Sequence, residues 1–158
     1  MTETTAATSI RHRIEIGVPI DRAFAIFHQQ WDRIKPHEHN PVSSPIVESV
    51  FEPRAGGYLY DRLEDGTENR WSRVLEFEPP NRFLISWDIS PRWQLENDHD
   101  RCSEVEVTFT RLDADRTLVE LEHRNLDRHG DGWEALRDGV TGSDGWPLYL
   151  RRFAALAE

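Results

Sequence analysis

The chain holds one cysteine, one methionine and one lysine in 158 residues, and these scarcities already exclude a good deal. With Cys102 alone no disulfide can form within the chain, so a reducing, cytoplasmic compartment is expected. No apolar run approaches the ~20 residues of a membrane helix. Residues 1–9 are rich in Thr and Ala, with neither a basic start nor an apolar core; they read as a disordered tail and not as a secretory signal. Basic side chains are the minority, 19 against 29 acidic ones, for a formal net charge of -10. Binding to nucleic acid or to an anionic membrane needs a basic face, so neither is expected as a partner. Several motifs are also missing. Gly142-Ser143-Asp144-Gly145 lacks the spacing of a nucleophile elbow. There is no phosphate-binding loop, dinucleotide fingerprint or Cys/His zinc spacing, so no cofactor is expected. His37-Glu38-His39 is the one metal-like cluster; it lies between prolines with no third ligand spaced for it, and no metal is expected there.

What the chain does have is alternation. Ile10, His12, Ile14, Ile16 and Val18 share one face of a period-two segment whose other face carries Arg11, Arg13 and Glu15. That is a half-buried strand. Pro19 ends it and Asp21 is placed to cap a helix, in which Phe24, Phe27 and Trp31 recur at helical spacing up to Pro36. Six further strands are expected over residues 46–51, 58–64, 68–77, 82–89, 103–112 and 117–126. Turn chemistry separates them: Gly56-Gly57, Asp65-Gly66, Pro79-Pro80 and Asp113-Ala114-Asp115. Two helices close the chain, over 133–140 and 146–157, with Pro147 suited to the first turn of the second. A curved antiparallel sheet needs a layer over its apolar face, and the last helix is long enough to provide it. The fold class expected is α+β, a single domain over residues 10–158.

Several segments are similar to one family. Glu52-Pro53-Arg54-Ala55-Gly56-Gly57-Tyr58, Trp71-Ser72-Arg73-Val74, Glu78-Pro79-Pro80-Asn81-Arg82, the Trp-bearing strand from Phe83 to Trp87, Glu122-His123-Arg124 and Gly145-Trp146 resemble the small START-like domains named after the activator of Hsp90 ATPase. The resemblance implies a helix-grip fold with a ligand cavity between sheet and terminal helix. It departs at Ser72, where that family often has glycine. Relatives in the wider superfamily bind lipids, sterols or polyketides, and some catalyse cyclisation or dehydration within the cavity.

Trp31 and Phe27 from the first helices, Trp71 and Trp87 from the strands and Trp146 from the last helix would wall such a cavity. Tyr60, Arg62 or His123 would orient the polar end of an apolar or aromatic ligand. His123 shares a face with Val119 and Leu121; it is either an acid/base or a core histidine satisfied by a backbone carbonyl or a hydroxyl. Three functions fit these residues. The first is binding of an apolar small molecule, with no catalytic residue recognisable. The second is a cyclase- or dehydratase-like enzyme acting in the cavity. The third is a chaperone-associated interaction module. The sequence leaves a homodimer open.

Overall fold

The computed structural model describes residues 7–40 and 42–157. Seven antiparallel strands form one sheet in the order β1-β7-β6-β5-β4-β3-β2. They are β1 (Ile10–Ile16), β2 (Ile46–Phe51), β3 (Tyr58–Leu63), β4 (Glu68–Glu78), β5 (Arg82–Trp87), β6 (Ser103–Asp113) and β7 (Arg116–Arg124). The helices are α1 (Ile20–Gln29), α2 (Trp31–Ile34), α3 (Trp133–Thr141) and α4 (Trp146–Leu156). This is the α+β architecture that the alternation implied, in the helix-grip arrangement that the resemblance implied. The tail expected over residues 1–9 lies outside the described residues as far as residue 6. Beyond that, the carbonyl of Thr8 accepts from Leu126 N–H at 3.0 Å and that of Ala7 from Arg137.

Alternation positions the core. β1 pairs with β7 without interruption from Ile10 opposite His123 to Ile16 opposite Thr117, so the apolar positions of both strands face the same way. Val105, Val107, Phe109, Val119 and Leu121 are almost wholly buried on that face. Phenylalanines fill the space beneath the helices. Phe27 lies 5.2 Å from Phe83 and 5.1 Å from Phe153 between ring centroids, and Phe24 lies 5.1 Å from Phe109. Much of the hollow between sheet and α4 is thus solid core.

Three local expectations need correction. Asp21 does not cap α1: Pro19 occupies the cap position, no side chain caps the helix, and Asp21 sits in the first turn. There its carboxylate faces the positive end of the helix dipole, which is favourable without a capping bond. The single aromatic helix is two, since Gln30 separates α1 from α2. Finally, Trp71 and Leu75, which strict alternation along the strand expected over residues 68–77 would put on one face, do not share it. The ladder of β4 shifts register opposite Leu59/Tyr60 and again between Val74 and Glu76. Each shift inserts an extra residue and reverses the alternation beyond it. Val74 is therefore buried with Trp71 in the core, while Leu75 is only half-buried.

The turn between α3 and α4 depends on Gly145. A Cβ there would come within 2.1 Å of the Val140 carbonyl oxygen. Only glycine lets the chain reverse this closely and deliver Trp146 to the first turn of α4, with Pro147 beside it.

Candidate functional site

A cavity of about 350 Å³ opens at one end of the sheet, beyond the phenylalanine core. Its walls are aromatic: Trp71 from β4, Trp87 from β5, and Trp146 and Tyr149 from α4. Trp71 and Trp87 meet edge to face at 5.4 Å, Trp87 and Trp146 at 5.5 Å, and Trp146 and Tyr149 at 5.0 Å. Such contacts hold rings in fixed orientations. The mouth is covered in part by Trp93, in the connection between β5 and β6. Trp93 has a left-handed backbone (φ 61°), and its ring lies against Gly139 of α3, so closely that a Cβ at Gly139 would meet it at 2.8 Å. It is nevertheless 46% exposed, an outer leaf on an otherwise buried wall.

The polar end is built from α2, the loop after it, β3 and α4. Lys35 and Asp61 are buried and paired, Nζ to Oδ2 at 3.0 Å. The Lys35 ammonium also donates to the carbonyl of His39 at 2.8 Å. Asp61 Oδ1 accepts from the Ser49 hydroxyl at 2.8 Å, so both carboxylate oxygens are engaged. Burial pulls the Lys35 pKa below its ordinary value, and the charge of Asp61 opposes that pull. His39 Nδ1 lies 3.0 Å from the Tyr149 hydroxyl. Its pKa is lowered, first by burial and then by the charge of Lys35, so the imidazole is neutral at pH 7. Burial pushes the Tyr149 phenol above its ordinary value, which keeps it protonated.

His123 is not at this polar end. It is wholly buried behind Trp87 and Trp146, inside a chain of hydrogen bonds. Trp146 Nε1–H donates to His123 Nδ1 at 3.1 Å. That leaves the His123 proton on Nε2, pointing at the Ser103 hydroxyl 2.6 Å away. Ser103 in turn lies 2.7 Å from His129 Nε2, which also accepts from the Ser103 backbone N–H. His123 is thus a core histidine satisfied by a hydroxyl, and its link to the cavity is the fixed orientation it gives Trp146.

Both histidines are neutral in the fold. Burial, reinforced for His123 by His129, lowers their pKa values to about 3 and about 4 from 6.5. The unfolded chain binds these protons near 6.5 and the folded protein refuses them, so this contribution is complete above pH 6.5 and is lost as pH falls towards 4 and then 3. Each histidine is expected to add about 1.4 kcal/mol per pH unit to the slope of stability in that window. Urea unfolding across it checks this: His129→Asn should remove about one histidine's worth of slope. A variant slope equal to the wild-type slope would contradict the neutral network.

Of the residues expected at the site, Trp71, Trp87 and Trp146 come together on the wall. Phe27 and Trp31 stand behind it, and Trp31 backs both Trp71 and Tyr149, at 6.3 and 5.8 Å. Tyr60 does not join them: burial alternates along β3, which puts Tyr60 on the face opposite Leu59 and Asp61. Arg62 shares its outward side and pairs with Glu48. His37 and His39 diverge; His37 Nε2 meets Asp32 Oδ1 at 2.8 Å while His39 turns to Tyr149. Among the described residues no three His, Cys, Asp or Glu side chains gather as a metal site would require. The sequence reading missed Lys35, Asp61, His39 and Tyr149 as a group. The Cys102 thiol is buried and pushed up to about 12 by burial and by Asp88, which leaves it inert.

Residues 18–158 match the family described as Activator of Hsp90 ATPase homolog 1-like protein. The chain belongs to this family. Among solved structures similar to this member, the anthrahydroquino-gamma-pyrone synthase Txn09 is 36% identical, with a TM-score of 0.65 over 94% of this chain and 96% of its own. CalC from Micromonospora echinospora, a self-sacrificing resistance protein, is 24% identical, with a TM-score of 0.67 over 94% and 93% of the two chains. A protein from Arthrobacter aurescens is 19% identical, with a TM-score of 0.63 over 96% and 86%. The last two attest to the fold alone. No curated protein matches the chain. No helix among the described residues is long and apolar enough to cross a membrane.

Proposed function

We propose that this protein binds a flat, polycyclic aromatic polyketide in the tryptophan-walled cavity and closes an oxygen-containing ring on it. The observation that carries the reading is the wall itself: Trp71, Trp87, Trp146 and Tyr149 around about 350 Å³, with charged and titratable groups at one end only. That volume sits at the lower end of the ~300–1,000 Å³ typical of small-molecule sites. Rigid indoles offer a planar ligand stacking and edge contacts, whereas a flexible lipid would gain little from them. Likeness to Txn09, a pyrone-forming enzyme, over nearly the whole of both chains supports ring closure over simple carriage.

The chemistry needs no redox partner. A phenol loses its proton, and its oxygen adds to an unsaturated carbon conjugated with a ketone. The new C–O bond forms as the π electrons move to the ketone oxygen, and the resulting enolate regains a proton at carbon. Reactant and product are isomers. His39, neutral and at the polar end, is placed to take the phenolic proton and return it, while protonated Tyr149 donates to the ketone oxygen.

A hydroxyanthraquinone bearing a conjugated ynone beside its phenol is the test substrate. Saturable quenching of tryptophan fluorescence and ring closure without change of mass are expected. His39→Asn should retain quenching and lose about 10²–10⁴-fold in rate. Quenching without closure would reduce the function to binding, and absence of both would overturn the reading.

A further inference from the structure

Lys35 is the single lysine of the chain, and among the described residues lining the cavity it is the one side chain of the Lys/Arg class. An ammonium has three N–H donors. One goes to the His39 carbonyl oxygen and one to Asp61 Oδ2, at 2.8 and 3.0 Å. The third has no acceptor among the described residues. The ammonium lies over the face of Trp71, 5.6 Å from the ring centroid, beside the aromatic wall of the cavity. A buried cation with one N–H not taken by a protein oxygen, lying over an indole of the cavity wall, is arranged to meet a ligand oxygen that reaches past that ring.

We infer that Lys35 recognises an acidic phenol or enol oxygen of the ligand and holds it as the oxyanion, with Asp61 and Ser49 fixing the ammonium from behind. The inference rests on the reading of the cavity as a site for aromatic polyketides, and it names the feature such a ligand must carry: an ionisable hydroxyl at the end of the ring system nearest α2.

The surrounding charges are consistent with this polarity. Asp61 is sealed on the far side, with both oxygens occupied, and does not line the cavity. Asp32 of α2 is turned to the Ser49 backbone N–H and to His37. Glu38 and Asp144 do line the cavity, but both are exposed, where water and salt weaken their repulsion of an anion. Arg152 of α4 lies near Glu38 at 3.9 Å and adds positive charge on the same side. His39 and Tyr149 are neutral. The ammonium is therefore the least screened charge that the ligand oxygen meets. In ring closure it would stabilise the phenolate that His39 generates, which makes Lys35 a contributor to catalysis as well as to selection.

Alizarin, a dihydroxyanthraquinone that is yellow when neutral and red when ionised, reports both halves of the inference. Tryptophan quenching measures its binding, and visible absorbance against pH measures its ionisation when bound. In the wild-type protein the bound dye is expected to ionise about 1–3 pH units below the free dye, as beside any close opposite charge. The double variant Lys35→Met/Asp61→Asn removes the charge pair together, so that no lone charge is stranded. It should still quench saturably, with the bound dye ionising at or above the pH of free dye. A wild-type complex with no downward shift overturns the role of Lys35, and so does a double variant that keeps the shift. If the variant fails to fold by circular dichroism, the wild-type titration decides alone. Absence of saturable quenching in the wild type removes the aromatic-polyketide reading and this inference with it, an outcome distinct from binding without a shift.

Discussion

Lys35→Met alone is expected to destabilise the protein by about 3–5 kcal/mol, the usual result of removing one partner from a buried ion pair. The side chains of Lys35 and Asp61 are 3% and 0% exposed, so water cannot replace the lost ammonium. Asp61 would keep the Ser49 hydroxyl on Oδ1 and have nothing on Oδ2. It must then remain charged in an apolar setting or bind a proton it otherwise lacks, and either is costly. Adding Asp61→Asn should recover much of the loss, because replacing both members of such a pair is often near neutral. Urea denaturation of wild type, both single variants and the double variant at neutral pH gives the coupling directly. A single-variant cost below about 1 kcal/mol, the ordinary value of a surface pair, would show that the pair is hydrated and not part of the interior.

Why this pair escaped a reading of the sequence is physically plain. Lys35 and Asp61 are far apart in the chain, and only the folding of α2 against the β2–β3 edge joins them. Two traces were nevertheless visible. Lys35 is the one lysine, against 18 arginines. Asp61 stands between Leu59 and Leu63 at a period-two position of β3, where a carboxylate on an apolar face implies a buried partner. The same alternation puts Asp61 inward and Tyr60 outward. The walls were easier. Trp87 and Trp146 are large aromatics at inward positions of elements whose period is strong, and inward aromatics are legible from alternation alone.

The architecture was legible for the same reason: strand alternation and turn chemistry are local, so seven strands and a terminal helix can be placed without knowledge of contacts. The exceptions are events that alternation cannot encode. The two register shifts of β4 each insert one residue, and nothing in Trp71-Ser72 or Val74-Leu75 announces which residue is extra. His123 shows the opposite case. Its inward position was clear from Val119 and Leu121, but its environment was not, because Ser103, His129 and Trp146 come from three other elements. Tertiary partners turned a candidate acid/base into a sealed support for Trp146.

Trp31→Ala is expected to have an effect as large as breaking the ion pair, and to carry it into the cavity. Trp31 is 1% exposed and touches aromatic rings on several sides. It stacks near Phe27 at 5.8 Å and Trp71 at 6.3 Å, meets Phe51 edge-on at 6.2 Å, and packs against Tyr149 at 5.8 Å. Truncating a buried tryptophan typically costs about 3–5 kcal/mol, the lost burial plus the void left behind. In a domain of this size that lowers the melting temperature by about 10 °C or more. The void would open directly behind Trp71 and Tyr149, so both wall residues lose their support and a planar ligand meets rings free to tilt. Phe153→Ala separates this from mere destabilisation. Phe153 is fully buried against Phe27, inside the phenylalanine core and outside the cavity lining. The two variants should melt at comparably lowered temperatures, yet only Trp31→Ala should weaken quenching by a hydroxyanthraquinone, by tenfold or more if about 1.4 kcal/mol of preorganisation is lost. Equal affinities in the two variants, measured well below both melting points, would show that the walls of the cavity stand without Trp31.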